Sequence, residues 1–349
     1  MKVRAALQME SHGNLSIREV ELEEPHADEV LVKISACGIC HTDIMMQYGS
    51  SDYPFLLGHE GSGIIERIGS DVTGFAPGDH IVISYTSCGH CPACKRKQPY
   101  KCVNLFDPFF LGYREDGTSS VSLDGISVPT LIGQGSFSEY VIVHQSSLVK
   151  VDPSLDLKVL APLGCGMMTG AGALVNYLKP EKGASILICG LGAVGFGAVT
   201  AAKMFGCETI IVIDRIPERL RLAEDFGATH SINSGEAMDI TAQIRHICSE
   251  IDYGYDSTGS LELLSAMQIV LKRTAKACGV GGGYLNGFNW QITDEGYSIP
   301  QEMIPVMIDW YVGGQFPIEK LLRFYPFEKI NEAMMAIRQG EVIKPVIVM

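Results

Sequence analysis

The 349-residue sequence has little charge, and most of that charge is acidic: 19% of its residues are charged, with 27 basic and 40 acidic side chains. The net charge of -13 argues against a nucleic-acid or anionic-membrane partner, because either would need a basic stripe. Internal repeats and low-complexity segments are also missing, and 46% of the residues are apolar. The chain is therefore expected to be globular, with about two domains.

The N-terminus lacks the apolar run of a secretory leader, so we expect a cytoplasmic protein with reduced thiols. Two stretches, 159–178 and 183–202, each run twenty residues without a charge. Such stretches are roughly long enough to span a bilayer. The glycines in both, and Pro162 in the first, instead favour buried chain with tight turns, and we expect no membrane partner.

Hydrophobic patterning changes along the chain. Short apolar alternations separated by Gly, Pro and Asp turns predict β-structure in the first 150 residues. From about residue 160, predicted strands alternate with predicted helices: strand 185–189, helix 193–205, strand 209–213 and helix 217–226. This alternation predicts an α/β fold with a parallel sheet. The last residues combine helical patterns with a closing strand: 300–311, 326–338 and 345–348.

Four cysteines lie within 15 residues: Cys88, Cys91, Cys94 and Cys102. Four thiolates at this spacing can surround one tetrahedral Zn²⁺, and a site filled by four sulfurs is structural because no position is left for a substrate. The alternative, that these cysteines are free thiols of the core, is disfavoured because the cations at 95–97 indicate an exposed lobe. A nucleic-acid zinc ribbon is disfavoured by the acidic chain.

A second set joins Cys40, His59 and Cys165, which are the residue types of a catalytic zinc site with one open position. Asp43 follows Cys40 closely and is expected to hold the second ring nitrogen of His59. Glu60, beside His59, is expected to act as a transient ligand or as a charge that tunes the metal. Taken singly, each of these residues is more often structural.

A glycine-rich turn formed by Gly190, Gly192 and Gly195 follows a predicted strand and opens a predicted helix. Such a turn admits a dinucleotide pyrophosphate at the helix N-terminus. Asp214 ends the next strand, where its carboxylate can accept both ribose hydroxyls and repel a 2′-phosphate. This favours NAD over NADP, although Arg215 could accept such a phosphate.

Together these motifs resemble the zinc-containing medium-chain alcohol dehydrogenases over essentially the whole chain. Gly58-His59-Glu60-x2-Gly63-x5-Gly69 matches that family's zinc signature. Gly164-Cys165-Gly166, Phe324-Tyr325-Pro326-Phe327 and Ile343-Lys344-Pro345 resemble the aryl (benzyl) alcohol dehydrogenases in particular. The resemblance implies a co-chaperonin-like β-barrel catalytic domain around a doubly wound Rossmann domain. It also implies a homo-oligomer, a dimer or a tetramer.

The resemblance predicts a catalytic domain at 1–160 with a structural-zinc lobe at 86–104, an NAD-binding domain at 161–294, and a return to the catalytic domain at 295–349. Metal and nicotinamide are then expected to meet in the cleft between the domains.

The same resemblance implies residue roles. Cys40, His59 and Cys165 would bind the catalytic zinc, which lowers the pKa of a bound alcohol. Thr42 would take the alcohol proton. The predicted contacts with the cofactor come from His41 and Lys344 at the pyrophosphate, Arg219 at the adenosine ribose and Thr169 at the nicotinamide.

Two positions depart from the family pattern. Met45 stands where many members place the histidine that ends the proton relay, so we hypothesise that His41 or solvent completes it. The chain also goes almost directly from Gly281 to Tyr284, which shortens a segment that in relatives helps build the dimer interface.

We expect the substrate to be a primary aryl or allylic alcohol, or the corresponding aldehyde. The residues that could line its apolar slot are Phe55, Leu56, Tyr85, Leu105, Phe106, Phe109 and Phe110; for any one of them a place in the core is at least as good an interpretation. The alternatives are a polyol or secondary-alcohol dehydrogenase and a cofactor-binding relative with weak turnover. The five cysteines that have no partner spacing are predicted to be buried: Cys37, Cys189, Cys207, Cys248 and Cys278.

Overall fold

A computed structural model describes residues 1–49, 53–236, 238–280 and 290–349. The shortened segment at 281–284 lies outside the described residues. The strands, in chain order, are β1 (Lys2–Gln8), β2 (Ser16–Leu22), β3 (Glu29–Gly38), β4 (Phe55–Leu56), β5 (Glu60–Ile68), β6 (His80–Ile83), β7 (Val121–Leu123), β8 (Ile126–Val128), β9 (Tyr140–His144), β10 (Leu148–Lys150), β11 (Ser185–Cys189), β12 (Thr209–Asp214), β13 (His230–Asn233), β14 (Ile251–Asp256), β15 (Leu271–Gly279), β16 (Trp290–Ile292), β17 (Leu322–Pro326) and β18 (Lys344–Val348).

The α-helices are α1 (His41–Gly49), α2 (Pro92–Lys95), α3 (Leu157–Leu160), α4 (Gly166–Gly172), α5 (Ala193–Phe205), α6 (Pro217–Phe226), α7 (Ile240–Ile247), α8 (Leu261–Val270), α9 (Pro300–Val312) and α10 (Ile330–Arg338). Two six-residue segments have π-type hydrogen bonding, Leu105–Phe110 and Ala173–Leu178. Short 3-10 turns lie at Pro99–Lys101, Leu131–Gly133, Gln145–Ser147, Ala161–Gly164, Asp294–Tyr297, Ile318–Leu321 and Phe327–Lys329.

The chain divides into two compact units. The first unit contains Met1–Cys165, Ile299–Pro305 and Ile318–Met349, and the second contains Gly166–Ser298 and Val306–Pro317. The domain bounds 1–160, 161–294 and 295–349 stay a prediction.

The first unit is built from two sheets, ordered β4-β1-β2-β7-β8 and β10-β6-β5-β3-β18-β17, with β9 also paired to β3. Strand β3 is central: it pairs antiparallel with β5, β9 and β18. Its alternating Val30, Val32 and Ile34 side chains pack into one apolar cluster, as a half-buried strand requires. The chain's last strand therefore lies beside residues 29–38.

The second unit is a parallel sheet in the order β13-β12-β11-β14-β15-β16. The strands are rich in Ile and Val, and one face packs on helices α7 and α8. Strand β11 and helices α5 and α6 begin and end at the predicted residues, and β12 is one residue longer. Pro217 occupies the first turn of α6, where a missing N–H costs nothing. The predicted α/β fold is confirmed.

Among the described residues, no single helix is both long and apolar enough to cross a membrane; Leu157–Gly164 and Gly166–Leu178 pass that test by length and composition only when taken together.

Four of the five cysteines predicted to be buried are buried: Cys37, Cys189, Cys207 and Cys278. The prediction for Cys248 is wrong, because this residue caps the end of α7 in a partly exposed turn. Its thiol donates to the Glu250 carbonyl at 3.1 Å.

Candidate active site and metal centres

The four cysteines of the lobe converge in the first unit. Their sulfur atoms all lie within 4.8 Å of one another, and Cys88 Sγ is 3.9 Å from Cys94 Sγ. Backbone N–H groups point at three of the sulfurs: Cys91 donates to Cys88, Cys94 to Cys91 and Cys88 to Cys102. Such donors stabilise thiolates. Donation from the N–H groups of Cys94 and Val103 lowers the pKa of Cys91 to about 6.

The second cluster brings together Cys40, His59, Glu60 and Cys165, with one ligand atom of each within 4.8 Å of the others. Cys40 lies between β3 and α1, His59 between β4 and β5, and Cys165 after the turn Ala161–Gly164. A left-handed glycine, Gly58 at φ +94°, turns the chain just before His59. A side chain there would also meet the Phe137 backbone nitrogen at 2.5 Å.

Asp43 lies against the imidazole of His59, the residue that the sequence analysis expects it to hold. The carboxylate is fully buried and accepts from Cys40 N and Gly58 N, each at 2.9 Å, and lies 3.2 Å from His59 Nδ1. This acceptor places a ring proton on Nδ1, so Nε2 is the nitrogen that could bind a metal once the ring is neutral. Among the described residues, the buried Nε2 has no hydrogen-bond partner of acceptable geometry.

The charged groups of the cluster shift the pKa values of one another. Burial lowers the pKa of His59, but Asp43 and Cys40 outweigh it and hold that pKa well above its usual value. Donation from the Cys165 thiol lowers the pKa of Cys40 well below the ordinary thiol value. Burial raises the pKa of Glu60 to about 7, although Lys344 opposes the rise.

Lys344 occupies a place that the sequence did not predict. It is 2% exposed, and its Nζ donates to both Glu60 oxygens, each at 2.8 Å, and to the Ile39 carbonyl at 3.0 Å. These contacts use its three N–H donors. The contact of Lys344 with the cofactor pyrophosphate stays a prediction. A lone lysine opening the apolar strand Lys344–Val348 was the available signal for a buried partner.

Both clusters fit zinc. With Zn–S bonds of about 2.3 Å, two sulfurs of a tetrahedral site lie about 3.8 Å apart. The observed separations are 3.9 Å for Cys88–Cys94 and 4.0 Å for Cys40–Cys165. A disulfide would need about 2.05 Å. The lobe offers four cysteine sulfurs, whereas the second cluster offers two cysteine sulfurs and Nε2 of His59.

The nucleotide loop of the second unit runs from the end of β11 into α5. Gly192 caps α5 and supplies no side chain to its first N–H groups, which leaves them for an anion. A side chain at Gly195 would meet the Gly190 carbonyl at 1.9 Å, so glycine is required for this close contact. The three predicted glycines therefore form a tight strand-to-helix turn.

Asp214 lies at the end of β12, with its carboxylate accepting from Leu191 N at 2.7 Å and Ile216 N at 2.9 Å. Each oxygen keeps a lone pair for a ribose hydroxyl. Arg219 is close by: burial lowers its pKa, the charge of Asp214 opposes this, and Arg215 adds to it. Thr169, on α4, is 5% exposed.

The remaining predicted site residues are placed as follows. Thr42 Oγ1 lies 3.8 Å from Cys40 Sγ, and His41 and Met45 are exposed on α1. Of the seven candidate pocket residues, five are buried in the first unit: Phe55, Leu56, Tyr85, Leu105 and Phe109. Phe106 is 60% exposed and packs on Phe110 with ring centroids 6.3 Å apart.

Known proteins resemble this chain along its length. Residues 26–153 match the family described as "Alcohol dehydrogenase GroES-like domain", and residues 193–293 match "Zinc-binding dehydrogenase". A geraniol dehydrogenase of Castellaniella defragrans is 34% identical, covering 100% of this chain and 98% of its own.

Two solved structures are similar over 100% of this chain and 99% of their own. One is an alcohol dehydrogenase zinc-binding domain protein from Burkholderia ambifaria, with 36% identity and a TM-score of 0.95. The other is a benzyl alcohol dehydrogenase from Acinetobacter calcoaceticus, with 35% identity and a TM-score of 0.93.

Proposed function

Because the chain belongs to the zinc-containing medium-chain alcohol dehydrogenase family, we propose that it interconverts primary aryl or allylic alcohols and their aldehydes, with NAD as the hydride partner. The balanced reaction is alcohol plus NAD⁺ giving aldehyde, NADH and a proton. The observation that carries the proposal is the convergence of Cys40, His59 and Cys165, which would offer a zinc ion three ligands and leave a fourth position for the substrate.

Cys40, His59 and Cys165 would hold the catalytic zinc, and the lobe cysteines the structural one. When bound, the catalytic ion supplies Lewis-acid chemistry, lowering the pKa of an alcohol and polarising a carbonyl. Asp43 would orient His59, and Lys344 forms a buried ion pair with Glu60.

Proton movement falls to the start of α1. The Thr42 hydroxyl, half-buried beside Cys40, would take the alcohol proton. The neighbouring His41 is exposed, and Met45 offers no titratable group. We therefore keep the hypothesis that His41 or solvent completes the relay. An unchanged solvent isotope effect on alcohol oxidation in His41→Gln would assign that step to solvent.

The preference for NAD is supported by Asp214, whose carboxylate would repel a 2′-phosphate at the adenosine ribose. Arg219 would contact the same ribose, Thr169 the nicotinamide, and the turn from Gly190 to Gly195 the pyrophosphate.

The substrate class is supported by two relatives, named for geraniol and for benzyl alcohol. Of the pocket candidates, Phe106 and Phe110 are not part of the buried core: Phe106 is exposed, and its ring packs on that of Phe110. We also propose a homo-oligomer in the cytoplasm, where cysteines stay reduced.

The test is an NADH absorbance assay with benzyl alcohol, cinnamyl alcohol, geraniol and sorbitol, together with zinc analysis. We expect two zinc ions per chain and turnover of the first three alcohols with NAD⁺. Preferred turnover of sorbitol would favour the polyol alternative. Two zinc ions with no turnover of any alcohol would favour a cofactor-binding relative.

A further inference from the structure

A third group of metal-ligating side chains lies beside the lobe and shares one cysteine with it. Cys88, His90 and Glu115 place one ligand atom each within 4.8 Å of one another. Unlike the four-cysteine set, this group faces solvent: the His90 and Glu115 side chains are 65% and 41% exposed.

The backbone sets the tautomer of His90. Its Nδ1 lies 2.8 Å from the Cys88 carbonyl oxygen, which can only accept, so Nδ1 carries the proton. The other ring nitrogen, Nε2, is then left with a lone pair in the neutral ring. A hydrogen-bonded Nδ1 and an open Nε2 are the state of a histidine that binds a metal.

The second ligand is held in the same way. Asn104 Nδ2 donates to Glu115 Oε1 at 2.7 Å, and Glu115 Oε2 faces His90 Nε2 at 3.7 Å. That separation is too long for a hydrogen bond. Nitrogen and oxygen ligands at about 2.1 Å from a tetrahedral Zn²⁺ lie about 3.4 Å apart, within a few tenths of an ångström of the observed distance.

We propose that Cys88, His90 and Glu115 form a transit site, through which Zn²⁺ enters and leaves the four-cysteine cluster. Cys88 belongs to both sets, so the ion keeps one bond while the others are exchanged. The Zn–N bond to His90, the Zn–O bond to Glu115 and the bond to a fourth ligand, a water molecule that returns to solvent, break, and Zn–S bonds to the remaining three cysteines form. Each of those thiols that is protonated releases its proton to water. The proposal rests on the assignment of the lobe as a zinc site.

A transit site speeds loading and release equally, and this separates it from a structural role. Removing it slows both directions and leaves the affinity of the lobe for zinc unchanged. Removing a residue that merely stabilises the lobe would speed release and weaken affinity. The sign of the change in release rate therefore decides between the two.

The experiment follows zinc release from the full-length, zinc-loaded enzyme into an excess of a chromogenic chelator. The variant is His90→Gln/Glu115→Gln, and the control is His246→Gln/Glu302→Gln, an exposed pair of the same residue types. Asp43→Asn identifies the release phase of the catalytic ion, because it acts only on that cluster.

We expect zinc release from the lobe to be slower in the His90/Glu115 variant, on the order of tenfold. This is the size of effect seen when residues that support metal ligands are removed. The zinc affinity of this variant should equal that of the parent enzyme. The control variant should match the parent enzyme in both release rate and affinity. Equal or faster release of lobe zinc in the His90/Glu115 variant would overturn the proposal. A parent enzyme with no lobe zinc at all would instead contradict the assignment of the lobe as a zinc site.

Discussion

Asp43→Asn should weaken the catalytic zinc site without touching the lobe. The carboxylate accepts three contacts, from Cys40 N, Gly58 N and His59 Nδ1, and is fully buried. An asparagine keeps one oxygen and turns an N–H₂ group toward at least one of these donors. Hydrogen bonds to a charged group contribute about 1.5–3 kcal/mol each. Losing one predicts a fall in zinc affinity of about 10- to 100-fold, since each tenfold corresponds to about 1.4 kcal/mol.

The assay is competition for zinc against a chelator of known affinity, read separately for the two ions. Asp256→Asn is the matched control, because this carboxylate is equally buried and accepts from Thr258 N, Thr258 Oγ1 and Gly259 N in the second unit. Both variants should lose a similar free energy of unfolding, but only Asp43→Asn should lose zinc affinity. Parent-like affinity at the catalytic site, or an equal loss in Asp256→Asn, would refute the orienting role of Asp43.

Three further outcomes are expected. Lys344→Met leaves the Glu60 carboxylate buried without its partner and should cost about 3–5 kcal/mol of unfolding free energy in denaturant titration. Lys344→Arg should retain most of it, and equal losses in the two variants would contradict an ionic role. Asp214→Gly removes the acceptor for the ribose and should raise KM for NAD⁺ by about 10- to 100-fold while improving use of NADP⁺. If steady-state kinetics show an unchanged cofactor preference, Asp214 does not select the cofactor. Cys94→Ser should leave one zinc per chain by metal analysis, and retention of two would contradict the four-thiolate cluster.

The sequence predicts those parts of the molecule that depend on local spacing. The family predicted from the motifs is confirmed, as are the parallel sheet and the helices α5 and α6. Cysteines three residues apart must turn around a common point, and a glycine-rich turn after a strand has few alternatives. These constraints act within short segments, so they can be seen without the fold.

Contacts between distant residues could not be predicted in the same way. Lys344 meets Glu60 across 284 positions because β18 pairs with β3, and β3 pairs with β5. The apolar pattern after Lys344 predicts a strand, but it does not predict which acidic residue lies beside that lysine in the sheet. Cys248 shows the converse, because an apolar residue type at a helix end does not determine burial.

Charge balance explains why these distant contacts belong to the site. The second cluster buries two carboxylates, Asp43 and Glu60, beside the thiols of Cys40 and Cys165. Four anions there would be costly in a low-dielectric interior, and Lys344 offsets one of them. A divalent ion between the two thiolates offsets two more, so metal binding and the fold of the first unit are coupled at this point. Stripping zinc should therefore lower the melting temperature of the protein, and reloading zinc should restore it. A stripped chain with the melting temperature of the loaded enzyme would show that protonation alone relieves the buried charge.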